Sequence, residues 1–307
     1  MREVEVRRPV APGDVDTLRR IASAAERAAG HVLLGDSVWR DVAAPSPDSA
    51  IILAQDGEVP LGILHLDATE GDASRGDRLA VAILPDAPFE ETLHDLVAAA
   101  LDDRRRRGGG PVELWFFGAD RRTDDVAAGL GLEPARELWQ LRIGLPVREA
   151  AEWPAGLTVR PFEPGRDDDA WLTVNNRAFV ADPDQGGWDR AVLGEREHEP
   201  WFDPEGFLLA FDDQGLAGFC WTKVHLASPP IEPLALGEIY VIGVDPDRQR
   251  TGLGRALVVA GLTNLHERHH VFRGMLHVDR ANRAAVALYR SIGFALARVD
   301  RAYRWEG

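Results

Sequence analysis

Residues 244–257 read VDPDRQRTGLGRAL. An apolar strand runs out at Pro246, three arginines and two glycines follow, and an apolar helix begins. Gly252 and Gly254 let backbone N–H groups approach a ligand closely, and the helix N-terminus beyond them carries partial positive charge. With Arg248, Arg250 and Arg255 the segment describes a pyrophosphate cradle. A glycine pair at a helix start also occurs for steric reasons alone, so the surrounding sequence has to decide. The dinucleotide fingerprint would need a third glycine where Leu257 stands, and the phosphate loop of NTPases would need Gly-Lys-Ser/Thr.

The cradle sits in an acidic chain. Its 307 residues carry Lys+Arg 35 against Asp+Glu 50, a net charge of −15. That balance argues against a general nucleic-acid surface, which needs a basic stripe. The length suits about two domains of average size. The lone Cys220 cannot form an internal disulfide, which fits a reducing compartment. No run approaches the roughly 18 apolar residues of a membrane span, and MREVEVRRPV has no apolar signal core. The expectation is a soluble cytoplasmic protein, monomeric, with neither nucleic-acid nor membrane partners. Of the 35 basic residues only Lys223 is a lysine, so it marks either a place where an ammonium is preferred or an ordinary strand position.

The two halves of the chain are similar. IILAQDGEVPLGILHLDA from Ile51 matches FLLAFDDQGLAGFCWTKV from Phe207, each a strand, an acidic turn and a strand carrying a glycine, Gly62 or Gly218. RLAVAILPDA from Arg78 matches EIYVIGVDPD from Glu238, and GLGLEPARELWQLRI from Gly129 matches SIGFALARVDRAYRW from Ser291. Corresponding positions lie about 160 residues apart, so two tandem copies of one α/β unit is the economical reading. RIGLPVREAAEWPAGL has linker composition. The expected division is 1–142, a linker at 143–156, and 157–307. Each copy should run strand, one or two helices, hairpin, longer strand, helix, strand, helix and a last hairpin. In the helix NRAAVALYRSIG, Asn282 suits the N-cap, Gly293 the C-cap, and Ala285, Leu288, Tyr289 and Ile292 form the apolar stripe. RRRR at 104–107 reads as a basic helix end meeting its dipole.

Gln249–Gly254, a Q-x-x-G-x-G directly after a strand ending VDP, resembles the acetyl-CoA loop of the GCN5-related N-acetyltransferases (GNAT). N-x-x-A-x-x-L-Y-x-x-x-G-F, from Asn282 to Phe294, resembles the same superfamily's next helix and strand. DPDQGGW at 182–188, EPWFDPEGFLLAF at 199–211, FCWTKVH at 219–225 and GEIYVIGVDP at 237–246 carry a closer resemblance, to the tandem acetyltransferases of the mycothiol synthase family. The resemblance implies an α/β fold of the α+β kind, two tandem GNAT units, each a mixed, mostly antiparallel sheet flanked by helices. It implies transfer of acetyl from acetyl-CoA to the cysteinyl amine of a cysteinyl-glucosaminyl-inositol, without a covalent enzyme intermediate and with no metal.

Such a reaction needs a base for the amine and an acid for the departing thiolate. Glu238 is the candidate base: strand alternation puts Glu238, Tyr240, Ile242 and Val244 on one face, and a carboxylate in an apolar strand needs a task or a partner. A salt-bridged strand-end glutamate is the alternative. The resemblance makes Tyr289 the acid, although it also lies on the core stripe of its helix. It further implies that the backbone of Ile242, Gly243 and Val244 holds the acyl carbonyl and pantetheine, with the Val244 N–H as oxyanion donor. Gly243 fits either a bulging strand or plain close packing. Gln249, Arg250, Thr251, Gly252, Leu253, Gly254 and Arg255 would take the pyrophosphate, and Asn282, Arg283, Ala284, Ala285, Val286 and Ala287 would flank the CoA arm. For the acceptor the resemblance points to Asp184, Lys223, Glu238 and His277, with Asp36 reaching over from the first copy. This chain departs from the family where Asp36 and Asp184 replace glutamates and His277 replaces a tyrosine.

Cys220 reads as a buried thiol without activation. His266, His269 and His270 read as a solvated helix end rather than a metal site. Two rivals stand beside the leading reading: a GNAT enzyme acting on another amine, such as an aminoglycoside, a polyamine or a protein N-terminus, and a non-catalytic acyl-CoA sensor. At the matching place the first copy reads APFEETLHDL, with Glu90 and Glu91 where phosphates would lie. That copy is expected to have lost productive acetyl-CoA binding through this loop.

Overall fold

Both halves of the chain fold through the same order of elements. The first half forms β1 (Arg2–Arg7), α1 (Pro12–Ala29), α2 (Asp36–Ala43), β2 (Ala50–Asp56), β3 (Val59–Asp67), β4 (Asp77–Ile83), α3 (Phe89–Arg106), β5 (Val112–Phe117), α4 (Arg121–Gly129) and β6 (Glu133–Gly144). The second forms β7 (Thr158–Pro161), α5 (Asp168–Ala178), α6 (Arg190–Glu197), β8 (Phe207–Asp212), β9 (Gly215–His225), β10 (Leu236–Val244), α7 (Leu253–His269), β11 (Arg273–Asp279), α8 (Arg283–Ile292) and β12 (Ala295–Trp305). The computed structural model describes residues 2–68, 76–180, 182, 185–229 and 232–307. The local signals act as their chemistry dictates. Asn282 caps α8 by accepting from the Ala285 amide, and Gly293 ends it at φ 116°. The arginines at 104–107 are held by Asp77, Asp102 and Asp103.

All twelve strands join one sheet, in the order β1-β2-β3-β4-β5-β12-β6-β11-β10-β9-β8-β7. Only β4 with β5 and β10 with β11 run parallel; the other neighbours are antiparallel. The mixed, mostly antiparallel sheet expected for each copy is present, with one change at the centre. Each half gives its last strand to the other. β6 pairs with β11, β12 pairs with β5, and the two pair with each other. Neither forms a hairpin; each is a single long strand.

The cores follow this exchange. Tyr303 and Trp305 of β12 pack with α3 and the first-half strands, and the Tyr303 hydroxyl donates to Asp124 at 2.6 Å. Leu141 of β6 packs with α7, α8 and the second-half strands, and so does Leu145 beyond it. Helices α1 and α2 cover one face of the first half and α5 and α6 the corresponding face of the second. The 143–156 stretch is packed rather than loose: Leu145 is buried, and Val147 and Trp153 lie against the second-half core.

A register shift between Ile239 and Val241 places a bulge at Tyr240. A bulge inserts one residue and reverses the alternation after it. Tyr240 and Val241 therefore both pack among Trp171, Phe219 and Trp221, whereas Ile242 and Val244 pack on the opposite face with α7 and α8. The expectation of one face for Glu238, Tyr240, Ile242 and Val244 holds only for the first two. Gly243 lies past the bulge, and its reason is close packing: a Cβ there would stand 2.7 Å from the Phe219 ring and 3.3 Å from Ala178.

The exchange predicts the behaviour of fragments. Residues 157–307 lack β6 between β11 and β12, and residues 1–142 lack β12 beside β5. Expressed separately, each should aggregate or unfold without a cooperative transition, because a strand edge and part of the core are bare. Mixing the two during refolding should restore one cooperative transition by circular dichroism; two independently cooperative fragments would contradict this.

Candidate active site

The 249–254 loop opens with Arg250 at φ 65° and continues through Gly252 at φ 92° into α7. Left-handed residues alternating along a turn direct successive amides to one side, an anion-binding nest. Among the described residues the amides of Arg250, Thr251, Gly252 and Gly254 meet no protein acceptor, and that of Leu253 reaches only the Thr251 hydroxyl at 3.4 Å. The backbone thus fits a pyrophosphate. The three arginines do not contribute equally. Arg248 is tied to Asp212 at 3.1 Å and Asp245 at 3.4 Å. Arg255 forks onto Glu149, from the 143–156 stretch, at 2.9 and 3.0 Å and onto Ser291 at 2.8 Å. Arg250 is exposed and has no carboxylate partner among the described residues.

The loop lies at the end of a strand with an open edge. Parallel pairing of β10 with β11 covers only Gly237–Ile239 and stops at the bulge. From Val241 to Val244, β10 pairs with β9 alone, so its other edge offers backbone donors and acceptors to a ligand. Ile242 and Val244 belong to this stretch. Asn282, Arg283, Ala284, Ala285, Val286 and Ala287 form the start of α8, with Val286 buried and Arg283, Ala284 and Ala287 exposed.

Tyr289 lies further along α8, buried in the core of α7 and α8 and edge-on to Phe294 at 5.9 Å. Burial pushes its phenol above the ordinary range, so it stays protonated at neutral pH. Both sequence readings of Tyr289, core and donor, fit this position.

On the other face of β10 a cavity of about 940 Å³ lies between the halves, lined by Asp36, Trp39 and Arg40 of α2 and by Trp201, Lys223 and Tyr240. The Lys223 ammonium sits 3.7 Å from Asp36 and 4.6 and 5.7 Å from the Trp201 and Tyr240 ring centres. The one lysine is therefore a cation held over aromatic faces, and Asp36 does reach across from the first half. Asp184 lies outside the described residues.

Glu238 is paired with Lys223 in the ladder and shares its face. It is buried, yet both carboxylate oxygens are used: His225 Nε2 donates to one at 2.7 Å, and His277 Nδ1 to the other at 3.2 Å. His277 is next to Gln140 of β6, 3.3 Å away, and Arg142 donates to the Gln140 carbonyl at 2.9 Å. A polar row thus crosses β6, β11, β10 and β9. Burial alone would raise the Glu238 pKa, but the two imidazoles outweigh it and hold the carboxyl down at about 2. Glu238 has both a partner and a charge that persists at any working pH. His225, two residues beyond Lys223 on the same face of β9, was not among the residues expected here; the ladder pairing of Lys223 with Glu238 is the signal that locates it.

The features set aside in the sequence have these surroundings. Cys220 is fully buried, and burial raises its thiol pKa. His269 binds Asp203 at 3.1 Å and His266 a backbone carbonyl at 3.0 Å; no cluster able to hold a metal occurs among the described residues. No described helix is long and apolar enough to cross a membrane.

Comparison with known proteins gives the family. The model of the acetyltransferase (GNAT) family matches residues 170–294. The chain is 41% identical over 303 residues to the mycothiol acetyltransferase of Thermobispora bispora, covering 98% of each chain. It is 43% identical over 289 residues to that of Salinispora arenicola, covering 92% of this chain and 89% of the relative. Among solved structures, a tandem GNAT protein from the clavulanic acid biosynthesis pathway superposes with a TM-score of 0.71 at 16% identity, covering 99% and 98% of the two chains. A GCN5-related N-acetyltransferase from Sphaerobacter thermophilus gives 0.73 at 22% identity, covering 99% and 95%. The chain is an acyltransferase and belongs to the mycothiol acetyltransferase family of tandem GNAT proteins.

Proposed function

We propose that this enzyme transfers acetyl from acetyl-CoA to the cysteinyl amine of a cysteinyl-glucosaminyl-inositol, the final step in making mycothiol. The observation that carries the reading is the split of β10 from β11. It opens a strand edge beside an anion-binding loop on one side, while the cavity holding Lys223 and Asp36 opens on the other face. The relatives' names point to mycothiol, and the acceptor is the one the family resemblance implies. Polar groups around an aromatic-walled cavity suit a polyhydroxylated ligand, and the permanent charge of Glu238 suits an ammonium.

In this reading the second half carries the chemistry and the first contributes β6 and Asp36. The loop amides and Arg250 hold the pyrophosphate, the free edge at Ile242–Val244 holds pantetheine, and the Val244 N–H polarises the acetyl carbonyl. Glu238 receives the amine. Tyr289 donates to the departing sulfur; its raised pKa makes full proton transfer uphill, so it acts mainly by stabilising charge as it develops. The first half lacks these parts. Glu90 and Glu91 occupy the first turn of α3, and ladder positions five residues beyond Gly62 and Gly218 pair Asp67 with Arg78 but Lys223 with Glu238. The charges are reversed.

A thiol-release assay with acetyl-CoA and a panel of amines tests the proposal. The cysteinyl conjugate should give the highest kcat/KM; preference for an aminoglycoside or polyamine would replace it, and no release with any amine would favour a sensor. Glu238→Gln should lower kcat by at least about 100-fold with little change in acetyl-CoA affinity, and Tyr289→Phe should lower kcat at unchanged KM; wild-type turnover in either removes that residue from the mechanism. Arg250→Ala should raise KM for acetyl-CoA roughly tenfold, about 1.4 kcal/mol, and Glu149→Gln, which frees Arg255, should lower it. Equal effects from Arg248→Ala and Arg250→Ala would show that carboxylate pairing does not rank these arginines.

A further inference from the structure

We propose that the first half holds a ligand site of its own: the cavity between α2 and strands β3, β4 and β5, which takes a small carboxylic acid that also carries a hydroxyl or an amine. The site is separate from the acceptor cavity and does not rest on the choice of acceptor above.

The repeat shows how the cavity arises. Where the second half has Trp221, Lys223, Glu238 and Tyr240, the first has His65, Asp67, Arg78 and Ala80. β3, β4 and β5 pair here without a register shift, so residues two apart on a strand share a face. Tyr240 fills its place by packing on Trp201 and Trp221, whereas Ala80 has no side chain to do so. The space left measures about 340 Å³ and is also lined by Ser37 and Arg40 of α2 and by the Trp115 and Phe117 rings.

The charged groups around this space lack partners. Arg78 is part-buried and makes no hydrogen bond or ion pair among the described residues; Arg160 and Arg301, also part-buried, each hold a carboxylate. Arg40 has no carboxylate partner among the described residues either. Asp67 faces Arg78 in the ladder without closing to an ion pair. Burial, and after it the charge of Asp41, raise the Asp67 pKa above the ordinary carboxylate range. His65 is 1% exposed. Its Nε2 lies 2.6 Å from Asp41, whose other oxygen accepts from the Ser49 hydroxyl at 3.2 Å. No protein group reaches its Nδ1 among the described residues. Polar groups withdrawn from water are normally paired, so four of them without partners around one cavity ask for a ligand.

Their chemistry selects it. Two guanidiniums against one free carboxylate make the cavity locally positive in a chain of net charge −15. Arg78 stands where the second half has Glu238, so a place of negative charge there is one of positive charge here. A carboxylate matches the planar fork of a guanidinium. A hydroxyl or ammonium on the same molecule can donate to Asp67 and to His65 Nδ1, and the two rings cover its carbon atoms. Inorganic phosphate carries a second negative charge, which Asp67 opposes.

Titration of the full chain with L-lactate and with L-serine, followed by calorimetry, should show a single saturable site for each. Ethanolamine, which keeps the hydroxyl and amine of serine without its carboxylate, should not compete, and inorganic phosphate should compete only weakly. Arg78→Gln should weaken both acids roughly tenfold while its KM for acetyl-CoA and its unfolding midpoint match the wild type. It is the cleaner variant because Arg40 also borders the acceptor cavity. Ala80→Tyr, which puts the second half's side chain into the space, should abolish binding. No saturable binding of either acid overturns the site, as does binding that Arg78→Gln leaves intact or that ethanolamine matches. Displacement of L-lactate by the cysteinyl conjugate would make this space part of the acceptor site and overturn its separateness. A preference of the enzyme for another amine removes the acceptor reading and leaves this test as it stands.

Discussion

The site depends on a single interruption of hydrogen bonding. β10 leaves β11 after Ile239 and carries a bulge at Tyr240. Without the departure there would be no free edge for an extended ligand. Without the bulge, Ile242 and Val244 would face the aromatic core around Trp171 and Trp221 instead of α7 and α8. One extra residue lets the polar end of the strand face the cavity while its apolar end faces the helix that starts at the anion-binding loop. The first half shows the comparison within the same chain: β4 pairs with β3 from Gly62 to Asp67 with no register shift, and no glycine pair follows it.

Much of this was legible in the sequence because it is local. The caps of α8, the stripe through Ala285, Leu288, Tyr289 and Ile292, the glycine loop before α7 and the repeat at about 160 residues can all be read from short stretches of sequence. The exchange of β6 and β12 was not legible. The two strands are matching pieces of a repeat, so either could complete either half by its own pattern. What decides is that they pair with each other at the centre, a contact between segments more than 150 residues apart that leaves no local mark. A bulge was one reading of Gly243, but its place escaped for a related reason: GEIYVIGV alternates well enough as a flat strand, and only the pairing with β9 puts the slip at Tyr240.

The exchange reaches the chemistry. Gln140 comes from the first half of the chain, yet β6 sets it opposite His277 in the ladder, where its side-chain amide meets that ring at 3.3 Å. Asp36, also from the first half, meets Lys223. A half whose own loop begins with Glu90 and Glu91 is therefore tied to the half with the glycine loop by a strand, a hydrogen bond and an ion pair.

Glu238 concentrates the consequences. A buried carboxylate is tolerated when hydrogen-bond donors meet both oxygens, and here two imidazoles do so. The interactions that make the anion affordable in the sheet also make it a weak base, since any group stabilising the charge opposes protonation. The sequence reading weighed Glu238 as either a base or a paired structural anion. The structure shows the paired anion, both oxygens met by imidazoles, and a base role asks that carboxylate to work against the pairing that keeps it in the sheet.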